Sequence, residues 1–337
     1  MTDDELMAAA LVAADTARFD VAPRPWVGAA LAALDGTVVT GATTGRTGPH
    51  AEVAALEAAA SAGVDVVGAT MAVTLEPCAH HGVTPPCAEA LVAAGVARVV
   101  VALEDPDERV AGRGIEILRA ADVEVVVGVG ATTAALQLAP YLHHRRTGRP
   151  LVVLKLALSL DGRTAAPDGS SQWITGSEAR LDAHRLRAAS DAILVGAGTV
   201  RADDPALTVR LPAAEPGAGA EPLRVVLGTA PADAAVRPCV EVGGDLGVVL
   251  DDLGTRGVLQ VLVEGGAAVA HAFHAAGLVD RYVVYLAPCL FGGDDARGAF
   301  AGPGVASIAD VWRGRIVDVH RLGADLRLDL LADRPGA

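Results

Sequence analysis

His50-Ala51-Glu52, then Thr74-Leu75-Glu76-Pro77-Cys78, then His80-His81-Gly82-Val83-Thr84-Pro85-Pro86-Cys87 is the stretch around which the first half of this 337-residue chain is organised. It offers one imidazole and two thiols, the donor set of a catalytic zinc site with one position left open to water. Glu52, two residues past His50, supplies a carboxylate that need not bind metal. H-x-E followed by P-C is the signature of zinc hydrolytic deaminases, which need a metal-acidified water and a carboxylate that carries its proton to the departing amine. The second thiol departs from the usual C-x-x-C, since Cys87 follows Cys78 by nine positions. Buried core cysteines and a helix-capping histidine would each look ordinary alone. Two of only four cysteines beside an H-x-E would not.

Working outward, Thr2 and Glu5 read as a capping box for a helix over 3–18, and strands near 26–34 and 37–42 flank an Asp35-Gly36 turn. Pro49 opens a helix over 50–62, a strand near 69–75 delivers Pro77-Cys78, and a helix from Pro86 carries Cys87 at its N-terminus, where unpaired amides favour a thiolate. Strand 97–103, helix 113–121, strand 123–127 and one helix over 131–145 continue an alternation that predicts an α/β sheet covered on both faces. Thr147 to Pro150 reads as a linker, dividing the chain into domains 1–147 and 151–337.

The second half restarts with an apolar run from Leu151 to the Asp161-Gly162 turn, the pattern of a central strand. Helices 177–189, 245–254 and 267–276 and strands 191–196, 223–227, 258–263 and 281–287 follow, with a hairpin over 315–331. Residues 211–222 read as a loop. Apart from the helix at 245–254, the segment 228–257 has no clear pattern.

The composition, 52% hydrophobic but only 3% aromatic, requires cores of Val, Leu, Ile and Ala. A net charge of −14 argues against nucleic acid or an anionic membrane and for a small-molecule partner. The acidic start and the lack of an apolar run of about 20 residues place the chain in the cytoplasm. Cys239 and Cys289 are expected to be free thiols.

Thr74 to Cys87 resembles the riboflavin-pathway pyrimidine deaminases, which are often fused to a reductase. Four later patches resemble that reductase: Lys155 to Thr164, Ser171 to Thr175, Thr199 to Arg210, and Val263-Glu264-Gly265-Gly266. The resemblance implies a cytidine-deaminase-like α/β/α sandwich followed by a dihydrofolate-reductase-like α/β domain. In this reading zinc sits on His50, Cys78 and Cys87, with Glu52 as the proton carrier. NADPH would contact Ala157, Trp173, Thr199, Asp203, Thr229, Gly265 and Gly266, and the substrate sugar phosphate would contact Ser171, Arg187, Leu207, Arg210 and Glu264. Asp203 or Glu264 could supply a proton during reduction. The absence of G-x-G-x-x-G agrees with a site that is not of the dinucleotide-fold type.

In the deaminase half His80 matches the family as a pyrimidine contact, but three positions depart. Arg24 stands for an asparagine, Thr43 for a histidine and Val83 for a lysine or arginine. Arg24 could replace the lost cation and bind the substrate phosphate, or the pocket could have drifted. A further alternative makes the first domain a structural zinc module closed by His80 or His81, with the reductase alone active. The family implies a homo-oligomer through the reductase domain, and strand 281–287, near the end of the reductase sheet, suits pairing across a two-fold axis, while it also reads as an ordinary central strand.

Overall fold

In a computed structural model, described here for residues 1–80 and 86–332, the chain forms two compact units, Met1–Gly148 and Arg149–Ala337. His81 and Val83 lie outside the described residues.

The first unit runs α1 (Asp3–Ala17), β1 (Gly28–Ala32), β2 (Val38–Ala42), α2 (Ala51–Ser61), β3 (Thr70–Val73), α3 (Cys87–Ala93), β4 (Arg98–Val101), α4 (Arg113–Ala120), β5 (Glu124–Val127), α5 (Ala131–Gln137) and α6 (Ala139–Thr147). The Thr2–Glu5 capping box forms as predicted. The sheet order is β2-β1-β3-β4-β5, with β2 and β3 antiparallel to β1 and the remaining pairs parallel. Leu6, Met7 and Ala10 of α1 pack with Ala134 of α5 against Ala30, Ala72 and Val100. Gly28 lets α1 lie directly on β1, because a Cβ there would come 1.9 Å from the Ala10 carbonyl oxygen. The opposite face receives α2, with α3 and α4 packed in a row beside it. The single helix expected over 131–145 is two, broken at Leu138. Pro140 lacks an N–H, and its ring would strike the carbonyl four residues back.

The second unit contains β6 (Leu151–Ser159), β7 (Arg163–Ala165), α7 (Ser177–Ala188), β8 (Ala192–Gly196), α8 (Ala197–Asp203), β9 (Leu223–Leu227), β10 (Val240–Val242), α9 (Leu246–Thr255), β11 (Gln260–Val263), α10 (Ala267–Ala275), β12 (Arg281–Ala287), β13 (Arg297–Gly298), β14 (Gly314–Leu322) and β15 (Asp325–Ala332). Its main sheet runs β10-β9-β8-β11-β6-β12-β15-β14, parallel from β10 to β12 and antiparallel through β15 and β14. Ala179 and Leu186 of α7 pack on one face, and Leu253 of α9 and Phe273 of α10 pack on the other. This is the α/β architecture expected of a dihydrofolate-reductase-like domain.

Sequence reasoning missed β7, α8, β10 and β13, each of seven residues or fewer and so too short to show a period. Of the two readings of 281–287, the structure shows the ordinary central strand. β12 is paired on both sides, by β6 and β15, so it has no free edge for a second chain. The outer strand on that side is β14. No described helix is long and apolar enough to cross a membrane, and all four cysteines are free.

Candidate functional site

In the first unit the chain path puts each donor at an element boundary. His50 is the N-cap of α2 and makes no side-chain capping bond, so its imidazole is available. Cys78 follows the end of β3, and Cys87 is the first residue of α3. The His50 Nδ1 lies 3.5 Å from Cys78 Sγ and 3.2 Å from Cys87 Sγ, and all three donor atoms fall within 4.8 Å of one another. Bonds of about 2.1 Å to nitrogen and 2.3 Å to sulfur at tetrahedral angles require donor separations of roughly 3.5–3.8 Å, so the cluster suits zinc. The Cys87 amide at the start of α3 donates to Cys78 Sγ at 3.2 Å, as a thiolate prefers. Hydrogen bonding from Cys87 and His50 pulls the Cys78 thiol well down, while the hydrogen bond to Cys78 and burial push Cys87 up. Among the described residues this cluster has three members, and His80 is not one of them.

Glu52, in the first turn of α2, is 3% exposed, and burial pushes its carboxyl up to about 7 against the pull of His50. It lines a cavity of about 180 Å³ with His50, Cys78, His80, Arg24 and Thr43. The two departing positions differ in role. Thr43 is buried, and its hydroxyl is engaged with the Val27 backbone, accepting from the N–H at 3.1 Å and donating to the carbonyl at 3.4 Å. Arg24 faces the cavity, with Nη1 donating to the carbonyls of Gly45 and Gly48 at 2.9 and 3.1 Å. Sequence reasoning missed Asp105, Asp107, Arg109, Tyr141 and Arg145, which close the same cavity. The Tyr141 hydroxyl lies 3.1–3.2 Å from both Asp105 carboxylate oxygens.

The second unit holds a groove of about 980 Å³, at the top of the range of about 300–1,000 Å³ usual for ligand and cofactor sites. The structure brings together Ala157, Ser171, Trp173, Thr199, Asp203 and Leu207 along its wall, with Arg187, Arg210, Glu264, Gly265 and Gly266. Gly196 and Gly266 start α8 and α10 without a side-chain cap, and the Gly266 amide donates to Thr199 Oγ1 at 3.0 Å. Trp173, 67% exposed, stands at the rim with the Arg180 guanidinium 4.6 Å from its ring. Thr229 lies apart, exposed on the turn after β9 and outside the lining. Of the two arginines flanking that turn, Arg237 is tied to Glu241 at 2.6 Å and to the carbonyls of Ala230 and Pro231, so it offers the turn no unpaired charge.

Arg187 and Glu264 are paired with each other. Burial by itself would raise the Glu264 carboxyl, but the hydrogen bonds and charge of Arg187, with Lys155 and His184 beyond, outweigh it and hold the group down at about 2. Sequence reasoning also misses Lys155. It lines the groove, with Nζ 5.8 Å from the Tyr285 ring centroid. A lysine inside a strand otherwise apolar on both faces was the signal available.

A three-donor metal pocket with a buried carboxylate in one α/β unit, and a cofactor-sized groove floored by helix starts in a second, define a two-domain deaminase–reductase. Residues 1–103 match the family described as cytidine and deoxycytidylate deaminase zinc-binding region, and residues 150–328 match the RibD C-terminal domain. The chain is 40% identical to riboflavin biosynthesis protein RibD of Escherichia coli strain K12, over 98% of this chain and 100% of that protein. It is 44% identical to RibD of Mycobacterium tuberculosis strain H37Rv, over 98% and 97%. Among solved structures, Acinetobacter baumannii RibD (form 1) superposes with a TM-score of 0.90 at 38% identity, covering 98% of this chain and 99% of that one. A Thermotoga maritima diaminohydroxyphosphoribosylaminopyrimidine deaminase/5-amino-6-(5-phosphoribosylamino)uracil reductase gives 0.88 at 30% identity, covering 98% of both chains. The chain belongs to the riboflavin biosynthesis protein RibD family, and it joins a zinc-binding deaminase domain to a reductase domain for riboflavin synthesis.

Proposed function

We propose that residues 1–147 hydrolytically deaminate 2,5-diamino-6-ribosylamino-4(3H)-pyrimidinone 5′-phosphate, and that residues 151–337 then reduce the ribosyl group to ribityl with NADPH. The observation that carries the first reaction is the three-donor cluster sharing one cavity with buried Glu52. His50, Cys78 and Cys87 hold the metal. Zinc bound there would act as a Lewis acid that brings the pKa of a water toward about 7. Glu52 takes the proton from the attacking water and gives it to the amine as the new C–O bond forms and the C–N bond breaks, releasing ammonia. The partial burial of the cavity excludes competing solvent, and His80 and Arg24 orient the pyrimidine and its phosphate.

For the second reaction NADPH would supply a hydride. The start of α10 at Gly265 and Gly266, with Thr199, suits a cofactor phosphate. Ala157, Trp173, Asp203 and Thr229 complete the cofactor contacts, while Ser171, Leu207 and Arg210 face the sugar phosphate. Arg187 presents its fork to Glu264, so this pair acts as a fixed dipole in the substrate site, and Glu264, held ionised, is a poor proton donor. That leaves Asp203 and Lys155 as the donors to be tested. The partners are small molecules, and the oligomer is a homodimer through the reductase unit. Incubating the protein with the diaminopyrimidine substrate while measuring zinc content and ammonia tests the reading. One zinc per chain with ammonia release supports it, and one zinc without ammonia returns the first unit to a structural role.

A further inference from the structure

Glu76 stands two residues before Cys78, lines the same cavity and is not one of the three metal donors. Its side chain is 4% exposed and collects four backbone N–H bonds. Oε2 accepts from Asp105 at 3.2 Å and Gly112 at 2.9 Å, and Oε1 accepts from Gly114 at 2.9 Å and Ile115 at 3.3 Å. Gly112, Gly114 and Ile115 are the N-cap and first-turn residues of α4, whose amides have no partner within the helix. Gly114 is needed for the approach, since a Cβ there would lie 1.9 Å from the Pro77 carbonyl oxygen. The loop over 104–112 therefore rests directly on the turn that delivers Cys78.

That loop keeps its shape through its own bonds: Asp107 N–H to Asp105 Oδ1 at 2.9 Å, Val110 N–H to the Asp107 carbonyl at 2.8 Å, and Arg113 N–H to the Val110 carbonyl at 2.7 Å. It meets the rest of the unit at the Glu76 carboxylate, at the Tyr141 hydroxyl on Asp105, and at Arg145, whose Nε lies 3.7 Å from Asp107 Oδ2. Its Asp105, Asp107, Arg109 and Val110 form a wall of the cavity that holds His50, Glu52 and Cys78. Of these anchors the Glu76 carboxylate takes the most bonds, four backbone N–H groups from both ends of the loop, so it does most to set where the loop lies. Four charge-assisted bonds from amides fix position more tightly than neutral acceptors would.

We propose that Glu76 is a positioning residue of the deaminase, setting the substrate-facing loop 104–112 against the Cys78 turn so that the cavity fits the pyrimidine. The proposal rests on the deaminase reading above. In Glu76→Gln one oxygen becomes an NH2 that faces two N–H donors, so half of the anchor turns repulsive. The expected result, in the full-length zinc-loaded protein, is a roughly 10–100-fold fall in kcat/KM for ammonia release, carried mainly by KM. Zinc stays at one per chain, and reduction by the second unit, an internal control for folding, is unchanged. Amide exchange at Asp105, Gly112, Gly114 and Ile115 accelerates. Gly114→Ala, which displaces the same loop while leaving Glu76 in place, should raise KM in the same way. Faster amide exchange with unaltered KM would overturn the proposal, as would loss of zinc in step with activity, which would mean that Glu76 serves the ligand turn. No ammonia from the wild-type protein would refute the deaminase reading itself.

Discussion

Arg187 and Glu264 close a two-bonded ion pair inside the reductase groove, Nε to Oε1 at 2.6 Å and Nη2 to Oε2 at 2.8 Å, with Arg187 Nη1 donating to the Thr208 carbonyl at 3.1 Å. Both side chains are largely removed from water, so each offsets the cost of burying the other's charge. Arg187→Ala should cost about 3–5 kcal/mol, because it leaves a buried carboxylate without its partner. Urea unfolding of the variant against wild type measures this, and a loss under about 1 kcal/mol would mean the pair is solvated in solution.

The same pair predicts an acid dependence. The folded Glu264 carboxyl lies at about 2 against an ordinary 4.5, a depressed value, so its stabilisation is complete above the unfolded value and is lost as pH falls from 4.5 toward 2. The gap corresponds to an order of magnitude of about 3 kcal/mol. The stability difference between wild type and Glu264→Gln should therefore shrink between pH 5 and about pH 2 to 3. A difference independent of pH over that window would remove Glu264 as its source.

Glu52→Gln should keep one zinc per chain and lower deamination by roughly 10²–10⁴-fold while leaving reduction intact. Near-normal ammonia release would assign the proton transfer to another group. Chelating the metal from the wild type should likewise stop ammonia release but not reduction.

Arg24 is the cavity cation whose identity departs from the family pattern. Arg24→Ala should raise KM for the phosphorylated pyrimidine by about 10–100-fold, the worth of a charge-assisted contact, and barely change it for the dephosphorylated riboside. An equal rise for both would show that Arg24 supports the 45–48 loop through Gly45 and Gly48 without reading phosphate.

Thr229 lies on an exposed turn outside the groove lining. Thr229→Asp should weaken NADPH more than NADH, through repulsion of the 2′-phosphate. Equal effects on the two cofactors would show that the turn does not read it.

β14 is the outer strand of the reductase sheet, with Ile316 and Val319 each more than half exposed. Light scattering at micromolar concentration should give a dimer, and Ile316→Lys with Val319→Lys a monomer, since charges on an edge strand oppose pairing. A monomeric wild type would end this assignment.

Much of this protein was legible before folding was considered. The candidate metal donors were readable because His50, Cys78 and Cys87 sit at helix starts and a strand end marked by Pro49, Pro77 and Pro86, and such local punctuation acts through the backbone of a few neighbouring residues. The strands β6, β9 and β12, five to nine residues long, were equally plain from their mostly apolar sequence. The two-residue and three-residue strands were not, since they exist only by pairing with distant partners.

By itself the sequence determined the chemistry on offer: an imidazole, two thiols and a carboxylate in the first unit, and glycine-opened helices beside arginines in the second. Only the tertiary structure decided how those groups are used. It joined Arg187 to Glu264 across 77 positions and Tyr141 to Asp105 across 36, engaged the Thr43 hydroxyl with Val27, and set β12 inside its sheet. The reason is physical. Residue type sets which bonds a side chain can form, while burial and partners far along the chain set which bonds it does form.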